Sequence, residues 1–360
     1  MTQDRVVLVT GVAGYWGSRV AARLATLAGH HVIGLDVERP DMEIQGLHFV
    51  RADIHNPLLV DLLKAEGIDT VCHLAFVETA RRSEAAFEAN VMGTTKLFGA
   101  CTNAGVHKVV FRSSTAVYGA RPSNSSFLTE DHSLRGSRHY GYTRDMVEIE
   151  ALCNALCQQM PDVIPTILRF ASIIGPTADT PMTRFLGNPW TPSLLGFDPM
   201  MQFIHEDDVV AALVHSVLHD VPGVFNVAAR DVLPLNKVRG LARKPPVPVL
   251  HLFAYWGERL RGNRLLRIGR YLPMDPDYLR YPWVGDLTRM RDELNFDPRY
   301  TAEEALHAFA ERNRTGHPPS DSEGLARDEE QLLDIIEQRR GSEERQAATT
   351  TSVEKGGEDE

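Results

Sequence analysis

A glycine-rich turn near the start of the chain constrains the fold more than any other feature. The run from Val6 to Thr10 is apolar and β-branched, residues 11–17 read GVAGYWG, and an amphipathic helical pattern follows. Glycines between a strand and a helix permit a tight turn and let the backbone approach a pyrophosphate at the helix N-terminus. Tight turns or close helix packing alone also select glycine. The residues expected to bind a dinucleotide here are Gly11, Gly14, Tyr15, Trp16 and Gly17.

A carboxylate stands at the end of the next strand-like run. Asp36 lies 19 residues beyond Gly17, where a carboxylate can accept hydrogen bonds from both hydroxyls of an adenosine ribose and would repel a 2′-phosphate. The combination favours NAD over NADP, although Arg39 lies close enough to weaken that preference. The alternative is that Asp36 is a solvated residue at a strand end.

Apolar β-branched runs alternate with amphipathic segments through the first half of the chain. The runs cover residues 6–10, 31–36, 70–75, 108–114 and 165–170. The amphipathic segments between them cover residues 16–29, 57–66, 85–104 and 142–159. This alternation predicts an α/β fold with a Rossmann-type doubly wound parallel sheet, in which the helices form right-handed crossovers.

The pattern changes after Gly175 and Pro176. Pro-rich and Gly-rich pieces follow, with short strands expected near 201–204 and 223–227 and helices between them. We therefore predict an NAD-binding domain over 1–175, to which later segments return, and a smaller C-terminal substrate-binding lobe mainly over 176–315.

Negative charge is concentrated at the C-terminal end. The whole chain carries a formal charge of −10, and residues 316–360, with 13 acidic and 5 basic side chains, carry −8 of it. This segment has no aromatic residue, and its composition cannot offset the entropy of ordering. We predict an acidic disordered tail over 316–360, apart from a helix compatible with 328–339. The remaining body is nearly neutral, and we expect no nucleic-acid partner.

Cysteine and histidine spacing argues against a metal site. The four cysteines form no CxxC or His-flanked pair and are too few for a disulfide framework, so buried thiols are expected. Residues 205–208 read HEDD, but a metal would require further ligands from elsewhere in the chain. We predict no metal and assign Asp207 and Asp208 as charges at a helix N-terminus.

Two features bear on cellular location. A strand begins five residues from Met1, which leaves no room for a signal peptide, and no apolar stretch approaches the ~18 residues of a membrane span. We therefore expect a cytoplasmic protein. Residues 237–270 hold nine Lys or Arg, one acidic residue and interleaved apolar residues, so they could contact an anionic membrane surface. Packing of their apolar side on the second lobe or on a subunit partner is the favoured interpretation.

A series of short blocks runs along residues 5–310. The early blocks are TGxxGxxG at 10–17, DI at 53–54, HLA at 73–75, NVMGT at 90–94 and SSTAVYG at 113–119. The later blocks are YGYTR at 140–144, LRF at 168–170 through GP at 175–176, FIHEDDV at 203–209, FNV at 225–227 and RDELNFDP at 291–298. In this order they resemble the extended short-chain dehydrogenase/reductases and, within them, the NAD-dependent epimerase/dehydratase family that includes UDP-glucose 4-epimerases.

The resemblance implies roles for residues at the reaction end. Tyr140 would be the acid/base, and Ser114 would hydrogen-bond the oxygen being oxidised or reduced, with Thr115 as the alternative. A phenol titrates near pH 10, so Arg144, one helical turn away, would stabilise the phenolate. Tyr140 as a packing residue and Ser114 as a strand cap are the structural alternatives. The residues implied to hold NAD, beside the glycine loop and Asp36, are Asp53, Ile54, Leu74, Ala75, Asn90, Tyr140, Arg144 and Phe170.

Several positions depart from the family pattern. The family has Lys where this chain has Arg144, and a guanidinium stays protonated where an ammonium can relay a proton. Thr115 and Ala116 stand where the family's dehydratases and decarboxylases carry Asp or Glu, which leaves simple hydride chemistry. Nucleotide-sugar enzymes of the group usually have Asn at the position of Ser172, Arg at Met201 and Arg-x-Gly-Asp at 277–280. These positions therefore bear on the substrate.

Three functions are open at this point. The favoured one is NAD-dependent hydride transfer at a hydroxyl or ketone carbon, with epimerisation of a nucleotide-linked sugar as the reaction that the resemblance implies. A one-way dehydrogenase or reductase of a non-nucleotide alcohol or ketone is the enzyme alternative. A catalytically weakened NAD-sensing interaction protein is the third. The partners we expect are a small-molecule substrate and a second copy of the chain in a homodimer.

Overall fold

The computed structural model describes residues 5–79, 83–137, 140–159, 163–250 and 275–315, with backbone alone at 156–159 and 315. Two compact units divide the chain, Met1–Ala310 and Glu311–Glu360. Of the second unit, only residues 311–315 are described, and they are helical. The predicted acidic tail over 316–360 lies outside the described residues.

A seven-stranded parallel sheet forms the centre of the first unit. Numbered along the chain, its strands are β1 Arg5–Thr10, β2 His30–Asp36, β3 Leu47–Arg51, β4 Thr70–His73, β5 Lys108–Ser114, β6 Ile164–Phe170 and β10 Gly223–Val227. Their order across the sheet is β10-β6-β5-β4-β1-β2-β3, and every neighbouring pair is parallel. The predicted Rossmann-type doubly wound sheet is confirmed, and its order reverses direction between β1 and β4.

The helices of the described residues are α1 Tyr15–Ala25, α2 Leu59–Ala65, α3 Glu84–Phe87, α4 Gly93–Ala104, α5 Gly141–Gln159, α6 Pro181–Gly187, α7 Glu206–Leu218, α8 Leu235–Leu241, α9 Thr288–Asp292 and α10 Ala302–Thr315. α1 and α7 pack on one face of this sheet, and α2, α4 and α5 pack on the other. A π-helical turn, Glu88–Met92, joins α3 to α4, and 3-10 turns cover Thr115–Tyr118 and Pro276–Leu279.

Burial on both faces explains why the strands read as continuous apolar runs. Val7 and Val9 of β1 point into the cluster formed with α1 and α7, whereas Leu8 points into the cluster formed with α2, α4 and α5. Alternate residues of one strand thus enter different halves of the core. The carboxyl ends of the parallel strands are left free to carry the loops of a binding site.

Two small sheets account for the remaining strands. They are built from β7 Ser172–Ile174, β8 Thr191–Leu194, β9 Met200–His205, β11 Val232–Pro234 and β12 Pro246–Val249. One sheet has the order β11-β9-β7 and the other pairs β12 with β8. A second apolar cluster, which includes Phe185, Phe203 and Leu279, packs around them. Because β10 lies in the large sheet, a segment after residue 175 returns to that sheet.

Only the first part of the basic segment 237–270, considered above for contact with a membrane surface, lies in the described residues. Residues 237–241 belong to α8 and 246–249 form β12, so the first part of the basic segment 237–270 is not one helix. Its aromatic and apolar residues over 252–260 lie outside the described residues. In the described part of the chain, no helix has the length and apolarity needed to cross a bilayer.

The HEDD segment begins α7, as the sequence predicted. His205 is the N-cap and its Nδ1 accepts from the amide of Asp207. Asp207 and Asp208 both lie in the first turn of α7, as predicted. Asp208 has a further role, because its two oxygens accept from the amides of Arg299 and Tyr300, each at 3.0 Å. Asp208 therefore ties α7 to the segment that leads into α10.

Candidate active site

The glycine loop has the shape that a dinucleotide requires. Gly11 has φ +73°, and a Cβ there would lie 2.7 Å from the Cα of Ala75. A Cβ at Gly17 would lie 2.0 Å from the carbonyl oxygen of Gly11. Gly14 caps α1 without a side-chain hydrogen bond, and the first turn of α1 holds no acidic residue. The first amides of α1 therefore have no acidic side chain of that turn beside them, which suits an anionic pyrophosphate, so the loop fits NAD.

Asp36 lies directly beside this loop. One carboxylate oxygen accepts from the amide of Ala13 at 2.9 Å, and the other accepts from the amide of Val37 at 2.7 Å. The structure thus brings together the two features that the sequence analysis combined. A negative charge stands at the carboxyl end of β2, one strand away from the glycine loop.

The residues after β3 lie at the same sheet edge. Asp53 accepts hydrogen bonds from the amide and Nδ1 of His55, which hold the pKa of the Asp53 carboxyl below its usual value. Ile54 is nearly buried, and a Cβ at Gly93 would lie 2.5 Å from its Cδ1. These contacts form one apolar wall with a carboxylate at its rim.

Asn90 braces the loop that follows β4. Leu74 of this loop donates to the carbonyl of Thr10 at 3.2 Å. The Asn90 side chain accepts from the amide of Val77 at 2.8 Å and donates to the Val77 carbonyl at 3.0 Å. It also donates to Asp145 at 3.0 Å. The buried amide of Asn90 therefore holds the loop in place.

A cavity opens at the carboxyl ends of β5 and β6. It encloses about 900 Å³ of empty space, part of it open to solvent, and Ser114 and Tyr140 both line it. The apolar residues of its wall include Ala116, Phe170, Ile173, Pro181, Met182 and Trp283. The structure thus places the two predicted reaction residues in one cavity.

Ser114 and the three candidate substrate residues differ in where they lie. Ser114 Oγ accepts from the amide of Ala116 at 3.2 Å, and Ser172 also lines the cavity. Thr115 is buried and donates to the carbonyl of Phe170, outside the described cavity wall. Met201 is 1% exposed and belongs to the second apolar cluster. Neither Thr115 nor Met201 therefore lies where a substrate contact was expected.

Arg144 does not line the described part of the cavity wall. Its Nε and Nη2 donate to one oxygen of Asp145 at 2.8 and 2.6 Å, and its guanidinium carbon lies 4.7 Å from the centre of the Phe87 ring. The Asp145 side chain is fully buried. The Arg144 charge is thus balanced by an adjacent carboxylate, which weakens its predicted role in stabilising a Tyr140 phenolate.

Three polar residues of the cavity were missed by the sequence analysis. Arg112, Glu78 and Tyr142 all line it, and Arg112 Nη2 donates to Glu78 Oε1 at 3.1 Å. Burial raises the pKa of the Tyr142 phenol to about 12, and the charge of Arg112 opposes that rise. An arginine inside the otherwise apolar strand VVFRSS was a signal that could have pointed to this group.

A buried polar network supports the cavity from below. Ser113 Oγ donates to Glu150, and Arg169 pairs with the same carboxylate through Nη2 at 2.6 Å. Arg169 Nη1 then donates to Tyr118 at 2.7 Å, and the Tyr118 hydroxyl donates to Asn226 at 2.7 Å. The chain of bonds connects β5, β6, β10 and α5, so the strand ends that carry the site are held in fixed relation.

Comparison with known proteins agrees with this geometry. The model of the NAD-dependent epimerase/dehydratase family matches residues 7–228. The chain belongs to this family. Its members are NAD-dependent, and the glycine loop described above has the form that NAD needs.

Individual relatives and a solved structure match most of the length of this chain. An uncharacterised protein of Mycobacterium tuberculosis is 37% identical over 317 residues, which cover 85% of this chain and 83% of the relative. A UDP-glucose 4-epimerase of Lactobacillus helveticus is 26% identical over 347 residues, 87% of this chain and 98% of the relative. Among solved structures, MoeE5 in complex with UDP-glucuronic acid and NAD is 25% identical with a TM-score of 0.66, covering 86% of this chain and 99% of that one.

Proposed function

We propose that this chain is an NAD-dependent oxidoreductase that acts at a hydroxyl-bearing carbon of a small-molecule substrate. The observation that carries the proposal is that Ser114 and Tyr140 line one cavity at the carboxyl edge of β5. NAD, when bound, supplies the acceptor and donor of the hydride. The Gly11–Gly17 loop and Asp36 would hold its adenosine and pyrophosphate, and the cavity would hold the substrate.

Tyr140 and Ser114 divide the proton chemistry. Tyr140 takes the proton of the substrate hydroxyl as the carbon is oxidised and returns it when the carbonyl is reduced. Ser114 donates a hydrogen bond to the same oxygen and keeps it oriented. Tyr140 is 6% exposed, and Phe170 and Ile173 share its cavity, so the reacting oxygen would lie beside an apolar wall.

Epimerisation of a nucleotide-linked sugar is the reaction we favour. A relative of similar length is a UDP-glucose 4-epimerase, and a neighbouring structure holds UDP-glucuronic acid. In such a reaction the ketone formed from the sugar would rotate in the cavity and accept the hydride on its opposite face.

A one-way dehydrogenase of a less polar alcohol is the second candidate. The cavity wall is largely apolar, and Asp275 adds a carboxylate that would repel a diphosphate. Arg280 packs its guanidinium carbon 4.6 Å from the Phe197 ring centre and 4.8 Å from that of Tyr281, away from the described wall. Asp275 and the apolar wall favour an uncharged substrate, whereas Arg112 and Arg184 of the same wall would attract an anionic one.

Replacement of Tyr140 by Phe tests the enzyme proposal. We expect Tyr140→Phe to lower turnover about 10²- to 10⁴-fold, because general acid-base catalysis is removed, while NAD binding is retained. NADH absorbance and product analysis across UDP-sugars and simpler secondary alcohols provide the assay, and calorimetry measures NAD binding. Turnover of a UDP-sugar to its epimer supports the favoured reaction, whereas net NADH formation from an alcohol supports the second candidate.

Tyr300→Phe is the matched control for this experiment. Tyr300 stacks on His205 with ring centres 4.0 Å apart, outside the described wall of the cavity, so its phenol can be removed without touching the reaction residues. If Tyr140→Phe turns over substrate as fast as Tyr300→Phe, the assignment of Tyr140 is wrong. If NAD binds and no member of a broad panel reacts, an NAD-sensing interaction protein replaces the enzyme proposal.

A further inference from the structure

Arg112 is a buried cation that lines the cavity at the carboxyl end of β5. It lies on β5, two residues before Ser114, and only 4% of it is exposed. Its guanidinium carbon lies 5.6 Å from the centre of the Trp16 ring, in the first turn of α1. Arg112 thus spans from the strand that carries Ser114 to the helix that follows the glycine loop.

The hydrogen bonds of Arg112 leave one donor without a partner. Nη2 donates to Glu78 Oε1, and Glu78 belongs to the loop after β4. The Nε atom of Arg112 is buried and has no hydrogen-bond partner among the described residues. Leaving a buried donor unsatisfied is costly, more so when the group is charged. An oxygen acceptor of a ligand bound in the cavity beside Arg112 would satisfy the Nε donor.

The other cation expected at this site is already neutralised. Arg144 places two donors on the buried carboxylate of Asp145, as described above. Arg112 instead lines the cavity together with Ser114 and Tyr142, and its carboxylate partner Glu78 has a side chain that is 26% exposed. Of these two arginines, Arg112 is the one positioned to meet a ligand.

We propose that Arg112 binds the nicotinamide-nucleotide half of NAD by donating a hydrogen bond to one of its oxygen atoms. The inference rests on the proposed function, because it requires NAD to run from the glycine loop to the cavity with its reacting end toward Ser114. The acceptor is a phosphate, ribose or carboxamide oxygen, which share the chemistry that a guanidinium recognises. Glu78 holds the guanidinium in position, and Arg112 is a binding residue that acts on the cofactor directly.

A ladder of cofactor fragments tests the proposal by calorimetry. Arg112→Gln should weaken NAD binding about 10- to 100-fold, the usual effect of losing a hydrogen bond from a charged donor. AMP, which lacks the nicotinamide-nucleotide half, should bind the variant and the unmodified protein within twofold. ADP-ribose separates the sources. Arg112→Gln should also bind ADP-ribose more weakly if the acceptor is a phosphate or ribose oxygen. Its affinity for ADP-ribose should be unchanged if the acceptor is the carboxamide oxygen, which ADP-ribose lacks.

Two further variants separate direct binding from structural effects. In Arg112→Gln, Glu78 loses its partner, so its uncompensated charge could repel the cofactor. The double variant Arg112→Gln with Glu78→Gln removes that charge, and we expect NAD binding to stay weak. Arg239→Gln is the matched control, because Arg239 is also a buried arginine and is only 2% exposed. It lies in α8, which packs in the second apolar cluster. The Arg239→Gln variant should bind NAD like the unmodified protein.

Three results would overturn the inference. They are unchanged NAD affinity in Arg112→Gln, full recovery in the double variant, and an equal loss of AMP and NAD binding. If Arg112→Gln fails to fold, Arg112→Lys takes its place, since an ammonium keeps the charge and lacks the Nε donor. Failure of the unmodified protein to bind NAD would contradict the proposed function itself, which distinguishes the two outcomes.

Discussion

At the scale of single residues, we predict that Asp36 sets the preference between NAD and NADP. Its carboxylate lies against the glycine loop, where it accepts from the Ala13 amide. A 2′-phosphate would meet this charge, so we expect NAD to bind more tightly than NADP and Asp36→Ala to narrow the ratio of the two affinities at least tenfold. Calorimetric titration with both cofactors measures the ratio.

The control for this prediction is Asp41→Ala. Asp41 is exposed in the segment after β2, so its replacement changes the net charge by the same amount away from the loop. It should leave the ratio within twofold of that of the unmodified protein. Equal affinity of the unmodified protein for NAD and NADP would show that Asp36 does not discriminate between them.

Arg144 shows what a residue's position in a motif leaves undetermined. The spacing from Tyr140 places it one helical turn away, and that placement is correct, because Arg144 donates its amide to the Tyr140 carbonyl at 3.1 Å. The direction of its side chain depends on Asp145, the next residue, which is buried and also bonded to Asn90. A pairwise contact of this kind arises from packing between α5 and the turn before α4.

At the scale of elements, the junction of β1 and α1 depends on the absence of a side chain. A Cβ at Gly17 would overlap the Gly11 carbonyl, 2.0 Å away, whereas a Cβ at Gly99 in α4 would meet nothing within 4 Å. We expect Gly17→Ala to lower the free energy of unfolding by about 1–3 kcal/mol and to weaken NAD binding. Gly99→Ala should raise the free energy of unfolding by about 0.5–1 kcal/mol.

Urea denaturation of the two variants tests this prediction directly. Both replacements are Gly→Ala in helices, so propensity alone predicts the same stabilisation for each. The difference between them therefore isolates the steric overlap at the loop. Equal stability of the two variants would contradict the close approach of Gly17 to Gly11.

The elements of the sheet were easier to predict than those of the second lobe. The predicted run 108–114 matches β5, and 223–227 matches β10. Long buried strands of a parallel sheet need apolar residues on both faces, so their sequences are distinctive. The strands β7, β8, β11 and β12 have only three or four residues, and all but β7 contain proline, so their sequences carry no periodicity strong enough to place them. Their pairing depends on contacts between distant segments.

At the scale of the whole molecule, a buried histidine couples stability to pH. His73 is fully buried at the end of β4, with Nδ1 2.7 Å from Thr10 Oγ1 and Nε2 2.8 Å from Thr94 Oγ1. Burial lowers the pKa of His73 to about 3, against about 6.5 for an unfolded histidine. Below pH 6.5 the His73 side chain therefore binds a proton in the unfolded chain but stays neutral in the folded chain.

The sign of the effect follows from this difference in proton uptake. The contribution of His73 to stability is fully present above pH 6.5 and is lost progressively as pH falls toward 3, by up to about 1.4 kcal/mol per pH unit. We expect urea denaturation between pH 7.5 and 4.5 to show a shallower pH dependence in His73→Gln. His107→Gln, at an exposed position, is the control. Equal slopes for the two variants would contradict the prediction.

The sequence by itself determined the fold class and the cofactor loop, whereas the tertiary structure decided the electrostatics of the site. Alternation of buried strands and amphipathic helices, and glycines where a Cβ would clash, are local requirements that one segment records. Which cation faces the cavity is not local. Arg112 on β5 meets Glu78 from the loop after β4 and Trp16 from α1, while Arg144 is held by Asp145. The partners of Arg112 come together only when the parallel strands align their carboxyl ends, because charge interactions depend on distance through space.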